Sequence, residues 1–153
     1  MTKLDKVFYA GRAHTSGGRD GYASRTDDGR LDVALAVPGR PGTGANTERL
    51  FAVGWSACFL SAIKIAASKA RFSLPANASV DAEVDLGLAN DIHGLAARLN
   101  VNVPRVDRPV AESLAETAHH LWPYSNATRR NVEVTVNVIT GYTAQPMEAA
   151  QYA

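Results

Sequence analysis

Asn46–Lys69 reads NTERLFAVGWSACFLSAIKIAASK, and its spacing predicts one long helix. Leu50, Phe51, Gly54, Ala57, Cys58, Ser61, Ala62 and Ile65 recur at three- and four-residue steps, which sets them on one stripe. Asn46 is placed to cap the helix, and Glu48 falls in its first turn. Lys64 and Lys69 sit toward the other end, where cations are favoured. The chain's single cysteine, Cys58, stands inside this stripe. It reads either as a small buried hydrophobe or as a reactive thiol. The second reading needs a cation from elsewhere in the chain, because a helix middle gains little from the helix dipole.

N-terminal to this helix, Lys6–His14 reads as a strand. Gly17-Gly18-Arg19-Asp20-Gly21 reads as a turn, and Tyr22–Thr26 as a second strand. Asp27-Asp28-Gly29 is a hairpin signal. Leu31, Val33, Leu35 and Val37 alternate with smaller or polar residues, as a half-buried strand does. These three strands make an antiparallel meander. Pro38–Ala45, PGRPGTGA, is too rich in glycine and proline for regular structure, and either frames a site or links into the helix.

C-terminal to the helix, Val80–Leu86 (VDAEVDL) and Leu95–Val103 (LAARLNVNV) alternate and form a hairpin around Gly87–Gly94. Asp107–Leu121 is a second helix, with Pro109 near its start and Val110, Leu114, Ala118 and Leu121 on its apolar face. Pro123 ends it. Val132–Val138, VEVTVNV, is the last strand. The order of three strands, helix, two strands, helix, strand makes an α+β fold. A long apolar helix beside six half-buried strands is much apolar surface for so short a chain. An intertwined dimer would bury it.

The 153 residues suffice for a single domain with its own core, read as 1–153 with 140–153 a loose tail. A net charge of +1, with both signs interspersed, argues against nucleic acid as a partner. No run reaches the roughly 18 unbroken apolar residues of a membrane helix, so no membrane is expected. The N-terminal MTKLDKVFYAG lacks the pattern of a signal peptide. One cysteine excludes an internal disulfide, and a cytoplasmic location is expected. His14, His93, His119 and His120 have no metal-site spacing, and the last two point about 100° apart on a helix. Neither a metal nor a cofactor is expected.

Four blocks together carry a resemblance: GGRDG at 17–21, DDGRLDVAL at 27–35, NTERLFAVGWSACFLSAI at 46–63 and AHHLWPYSNATR at 118–129. Their order and spacing resemble the organic hydroperoxide resistance proteins of the OsmC/Ohr superfamily, from about Val7 to Val138. The resemblance implies antiparallel sheets around a long central helix and an intertwined homodimer with sites at the subunit interface. It implies a cytoplasmic, cysteine-based peroxidase that reduces organic hydroperoxides, including those of fatty acids. The reductant would be an external thiol, a dihydrolipoyl group on a lipoylated protein or a small thiol. Cys58 matches the peroxidatic cysteine, Arg19 the arginine that stabilises its thiolate, and Glu48 the glutamate that holds that arginine.

Chemistry agrees with these roles. A thiolate attacks the distal peroxide oxygen, expels an alkoxide and becomes a sulfenic acid. A guanidinium favours the thiolate, and a carboxylate can grip its other edge. Phe51, Phe59 and Trp122 are expected to line the substrate pocket. Glu48 and Cys58 lie about 15 Å apart along a straight helix. Arginine must bridge them, the helix must break at Gly54, or a residue must come from another subunit.

One position departs from the family pattern. Trp122 stands where these proteins carry a second cysteine, the one that resolves the sulfenic acid as a disulfide. Three readings follow: a one-cysteine peroxidase resolved by an external thiol, an engineered variant, or a protein that has lost turnover and kept its pocket. The competing function is a non-enzymatic dimer that binds an apolar ligand or senses redox state.

Overall fold

A computed structural model describes residues 4–19 and 23–141. Asp20 and Gly21 of the glycine-rich turn, Tyr22 at the start of the second expected strand, and the tail from 142 onward lie outside the described residues. Two compact units divide at the start of the long helix, with Thr47 in the first and Glu48 in the second.

The first unit is the expected meander, with shorter strands. β1 (Ala13–Thr15), β2 (Ala23–Thr26) and β3 (Asp32–Ala34) pair antiparallel in that order. Ala13 faces Thr26, and Ala23 faces Ala34. The strand expected over Lys6–His14 is confined to its last residues, and Leu4, Val7, Phe8 and Tyr9 are exposed. The β2–β3 turn closes with Gly29 N–H donating to the Thr26 carbonyl at 3.1 Å. The Thr26 hydroxyl and the Arg30 N–H both donate to Asp28 and hold its carboxyl below the usual carboxylate range. The Gly/Pro loop folds back on β3: Ala45 N–H donates to the Ala34 carbonyl at 2.9 Å, and Leu35 bridges Ala45. Gly44 makes this approach possible, since a Cβ there would lie 2.6 Å from the Leu35 carbonyl carbon. The loop thereby encloses a hollow of about 230 Å³.

The second unit holds the main core. α1 (Thr47–Lys69) runs unbroken for 23 residues, so the helix does not break at Gly54. It starts one residue after Asn46 and carries Glu48 in its first turn and Lys69 in its last. It is long and apolar enough to cross a membrane, but one face is core. That face is not the stripe the spacing suggests. Trp55, Phe59, Ala62, Ile63, Ala66 and Ala67 are buried, while Val53, Ala57, Ser61 and Ile65 are exposed. Both faces are apolar, so periodicity alone cannot choose between them. Past Lys69 the helix closes with Arg71 in the left-handed region (φ 54°) and Phe72 N–H donating to the Ala67 carbonyl at 2.8 Å.

β4 (Ser79–Ala89) and β5 (Ile92–Asn102) form one long hairpin. The loop expected at Gly87–Gly94 shrinks to Asn90-Asp91, both at positive φ (52° and 62°), and the strands continue to this tip. β6 (Glu133–Ile139) runs parallel to β5, with Val134 opposite Ala97 and Val138 opposite Val101. The expectation of purely antiparallel sheets is therefore corrected. Strict alternation has the same period in both directions; only the connection separates them, and a parallel pair requires a crossover. Here the crossover is α2 (Arg108–Leu121) and α3 (Pro123–Thr128).

Alternation along the sheet separates core from solvent. Ala97, Leu99 and Val101 of β5 face α1 and α2 in one cluster with Trp55, Phe59, Ile63, Ala111, Ala115 and Ala118. The opposite face is polar. There Arg98 donates to Glu83 and to Asp85, which lowers the Asp85 carboxyl below its usual range. Asn137 donates to Asn100 at 2.9 Å. On α2 the buried residues are Ala111, Leu114, Ala115 and Ala118. Val110 and Leu121, expected inside, are exposed. Ala111, Ala115 and Ala118 join the sheet cluster and Leu114 packs on α1, so Val110 and Leu121 fall outside the covered arc.

Candidate active site

α1 sets the position of Cys58 by helical spacing. Gly54 and Trp55 precede it by four and three residues, Phe51 by seven, and Ala62 follows by four; such residues share a face. Cys58 is half-buried, on the border between the buried and open faces. Phe51 beside it is half-buried, whereas Phe59 is fully buried. Phe59 therefore belongs to the core rather than to a pocket wall.

The α2–α3 corner crosses this part of α1. Pro123 disfavours a helical conformation in the residue before it. Trp122 is accordingly extended (φ −96°, ψ 140°) and separates the two helices. Proline then begins α3, where its missing N–H costs nothing. On one side of Trp122, the His119 ring meets Phe59 edge-on at 6.4 Å. On the other, Tyr124 lies 6.1 Å from Phe51 and covers Gly54. A Cβ at Gly54 would sit 3.7 Å from both Cε2 and the hydroxyl of Tyr124. Phe51 in turn packs on Trp55 at 5.1 Å. Trp122 stands between these contacts in the chain and packs on the same core. The corner thus straddles the turn of α1 that carries the thiol.

Several buried polar atoms around this corner have no hydrogen-bond partner among the described residues: Trp55 Nε1, His119 Nδ1, Trp122 Nε1 and Ser125 Oγ. Burial, followed by the Arg129 guanidinium and His120, pushes the His119 imidazole below its ordinary value near 6.5.

The remaining expected site residues are placed as follows. Glu48 is buried in the first turn of α1, ten residues of continuous helix before Cys58. Arg19, in the first unit, is exposed and donates from Nη2 to the Thr47 hydroxyl. Spacing alone did not point to Trp55, Tyr124 or His119. The signal for Tyr124 was the Trp-Pro-Tyr run, because proline at a helix start implies a new helix beyond it. Among the described residues, no three His, Cys, Asp or Glu side chains converge as a metal site would require.

The sequence model of one family, described as OsmC-like protein, matches residues 40–137. The chain is 42% identical to an uncharacterized protein of Acinetobacter baylyi, over 90% of this chain and 97% of that one. It is 38% identical to the organic hydroperoxide resistance protein of Xanthomonas axonopodis pv. citri, over 90% and 99% of the two chains. Among solved structures, an organic hydroperoxide resistance protein from Legionella pneumophila superposes with a TM-score of 0.81 at 37% identity. That match covers 87% of this chain and 98% of the other.

Proposed function

The chain belongs to the OsmC/Ohr superfamily, as a protein of the organic hydroperoxide resistance type, and on that premise we propose that it is a one-cysteine peroxidase centred on Cys58. The observation that carries this reading is the place of the thiol. Cys58 is half-buried where the Trp122 corner crosses α1, while its neighbours Trp55 and Phe59 are wholly buried. A thiol kept only for packing would sit with them.

The Cys58 thiolate attacks the distal oxygen of an organic or fatty-acid hydroperoxide. The O–O bond breaks, the alkoxide leaves and takes up a proton, and sulfur keeps one oxygen as the sulfenic acid. Trp122 cannot resolve this species. An external thiol, from a dihydrolipoyl group on a lipoylated protein or a small thiol, attacks the sulfur instead. Water leaves and a mixed disulfide forms; a second thiol then frees Cys58. Phe51 and Trp122 supply apolar walls for the substrate. The work is done in the cytoplasm.

Arg19 and Glu48 complete the site in a dimer. Ten residues of unbroken helix separate Glu48 from Cys58, about 15 Å of rise. A guanidinium held by Glu48 therefore serves the thiolate of a second copy rather than its own. The open face of α1, with Val53, Ala57 and Ile65, is the apolar surface such a partner would cover.

Hydroperoxide consumption coupled to a dihydrolipoamide system tests the reading. Cys58→Ser and Arg19→Ala chains are each expected to be inactive, the first by at least about a thousandfold. Mixed dimers of the two are expected to regain one working site in two. Equal turnover by wild type and Cys58→Ser removes the peroxidase. Inactive mixed dimers from otherwise competent chains remove the exchange of residues between subunits. The redox-sensing reading is favoured by one observation, tryptophan in place of the second cysteine. It gains if peroxide oxidises Cys58 once and no thiol restores it.

A further inference from the structure

The α2–α3 corner contains more polar capacity than the fold uses. Trp55 is fully buried, yet its indole N–H has no acceptor among the described residues. The same is true of the sheltered indole N–H of Trp122. A buried donor without an acceptor is costly, and native structures rarely retain one without a purpose. Trp55 precedes Cys58 by three residues on α1. Trp122 lies between His119, which touches Phe59, and Tyr124, which covers Gly54. Trp55 thus lies one turn before the sulfur, and Trp122 sits in the chain between the two residues that touch the Gly54–Phe59 segment of α1.

Before oxidation the only acceptor at Cys58 is sulfur, as thiol or thiolate, which is larger and more diffuse than oxygen. Oxidation changes this, because the sulfenic acid carries an oxygen with lone pairs where none existed before. We propose that the indole N–H of Trp122 is the hydrogen-bond donor that holds the sulfenic oxygen of Cys58 until an external thiol arrives. This rests on the peroxidase reading above and extends it to the oxidised state. Donation to the oxygen draws electron density from the sulfur. The sulfur becomes a better target for the thiol, which forms the S–S bond as the S–O bond breaks and water leaves. It also becomes a poorer nucleophile toward a second hydroperoxide, whose distal oxygen would otherwise be transferred to give the sulfinic acid. Tryptophan in place of cysteine then exchanges one way of protecting the intermediate for another.

The chain has two tryptophans, so a ¹⁵N–¹H spectrum contains two indole signals. One equivalent of cumene hydroperoxide is added to wild type, and intact mass confirms that one oxygen has been gained. The expected result is a downfield shift of the Trp122 indole proton, assigned with Trp122→Phe, and no shift in Cys58→Ser. In Trp122→Phe, which keeps a ring and loses the donor, reduction of the sulfenic acid by dihydrolipoamide is expected to slow by roughly threefold to tenfold. Its gain of a second oxygen under excess hydroperoxide is expected to quicken by a similar factor. An oxidised wild type whose indole signals stay in place overturns the proposal, whether or not Trp122→Phe folds. Unchanged rates in a folded Trp122→Phe overturn it as well. If Cys58 gains no oxygen at all, the peroxidase reading itself fails, and that outcome is read separately from the mass.

Discussion

The two faces of α1 are both apolar, yet they are used differently. One carries Trp55, Phe59, Ala62, Ile63 and Ala66, all within 2% of complete burial against the β4–β6 sheet and α2. The other presents Val53 and Ile65, which are 68% and 45% exposed, with Ala57 and Ser61 between them. Cys58 lies on the border. The contrast teaches that hydrophobicity marks a helix as needing cover without saying which side the chain itself covers. The larger side chains, Trp and Phe, went to the chain's own core. Val53 and Ile65 were left for whatever meets the open side, while Ala62 and Ala66 fill the core beside the aromatic rings.

Substitution on the two faces should break the symmetry most sharply. Phe59→Ala leaves a cavity among Leu99, Val101 and Ala118, and is expected to cost about 3–5 kcal/mol in urea unfolding. Val53→Lys should leave the fold of one chain within about 0.5 kcal/mol. If the open face is the dimer surface, that same lysine should shift sedimentation from dimer to monomer and remove peroxidase turnover. A Val53→Lys protein that stays dimeric and active would detach the open face from assembly.

A subtler difference lies in protonation along the border. His119 occupies the last turn of α2, where the helix dipole favours a cation, but burial against Phe59 and the nearby Arg129 favour the neutral ring. Burial prevails, and the folded-state value lies below the unfolded one. The resulting stability is complete above the ordinary value near 6.5 and is lost as pH falls through the folded-state value. The urea midpoint of wild type should therefore drop on acidification across this window. That of His119→Gln should drop less. Parallel pH profiles would show that His119 is better solvated than its contacts imply.

The smallest effect belongs to the far end of α1. Arg71 closes the helix at φ 54°, a conformation that suits glycine better than arginine. Arg71→Gly should raise stability by about 1 kcal/mol, with no change in assembly or turnover. A loss of stability would mean that the arginine side chain contributes more than its backbone costs.

Much of this was legible before any coordinates. The bounds of α1, the β4–β5 hairpin, α2 and the strand over 133–139 follow from the spacing of apolar residues and from Pro109 and Pro123. The candidate site rests on motifs, with Cys58 and Trp122 marked by the blocks around them. What could not be read came from degeneracy. Two apolar faces give one periodicity, so the stripe through Ala57 and Ile65 looked as suitable as the one through Phe59 and Ile63. Alternation over Val132–Val138 carries no direction, so the parallel pairing of β6 was missed, although a connection of some thirty residues through α2 and α3 allowed no short hairpin. Phe59 adjoins Cys58 in sequence, but adjacent residues on a helix point about 100° apart, and its ring is fully buried. Tyr124 was passed over because Pro123 reads as an end before it reads as a beginning.

The place of β6 at the end of the element order also orders events on the ribosome. α1, the hairpin and α2 all emerge before Glu133–Ile139 can dock. Until then one edge of β5, with Leu99 and Val101 on its core face, offers a bare row of backbone donors and acceptors to any neighbouring nascent chain. A pause in translation between Leu121 and Glu133 would prolong that exposure, so codon changes in this interval should affect soluble yield more than the same changes upstream of α1.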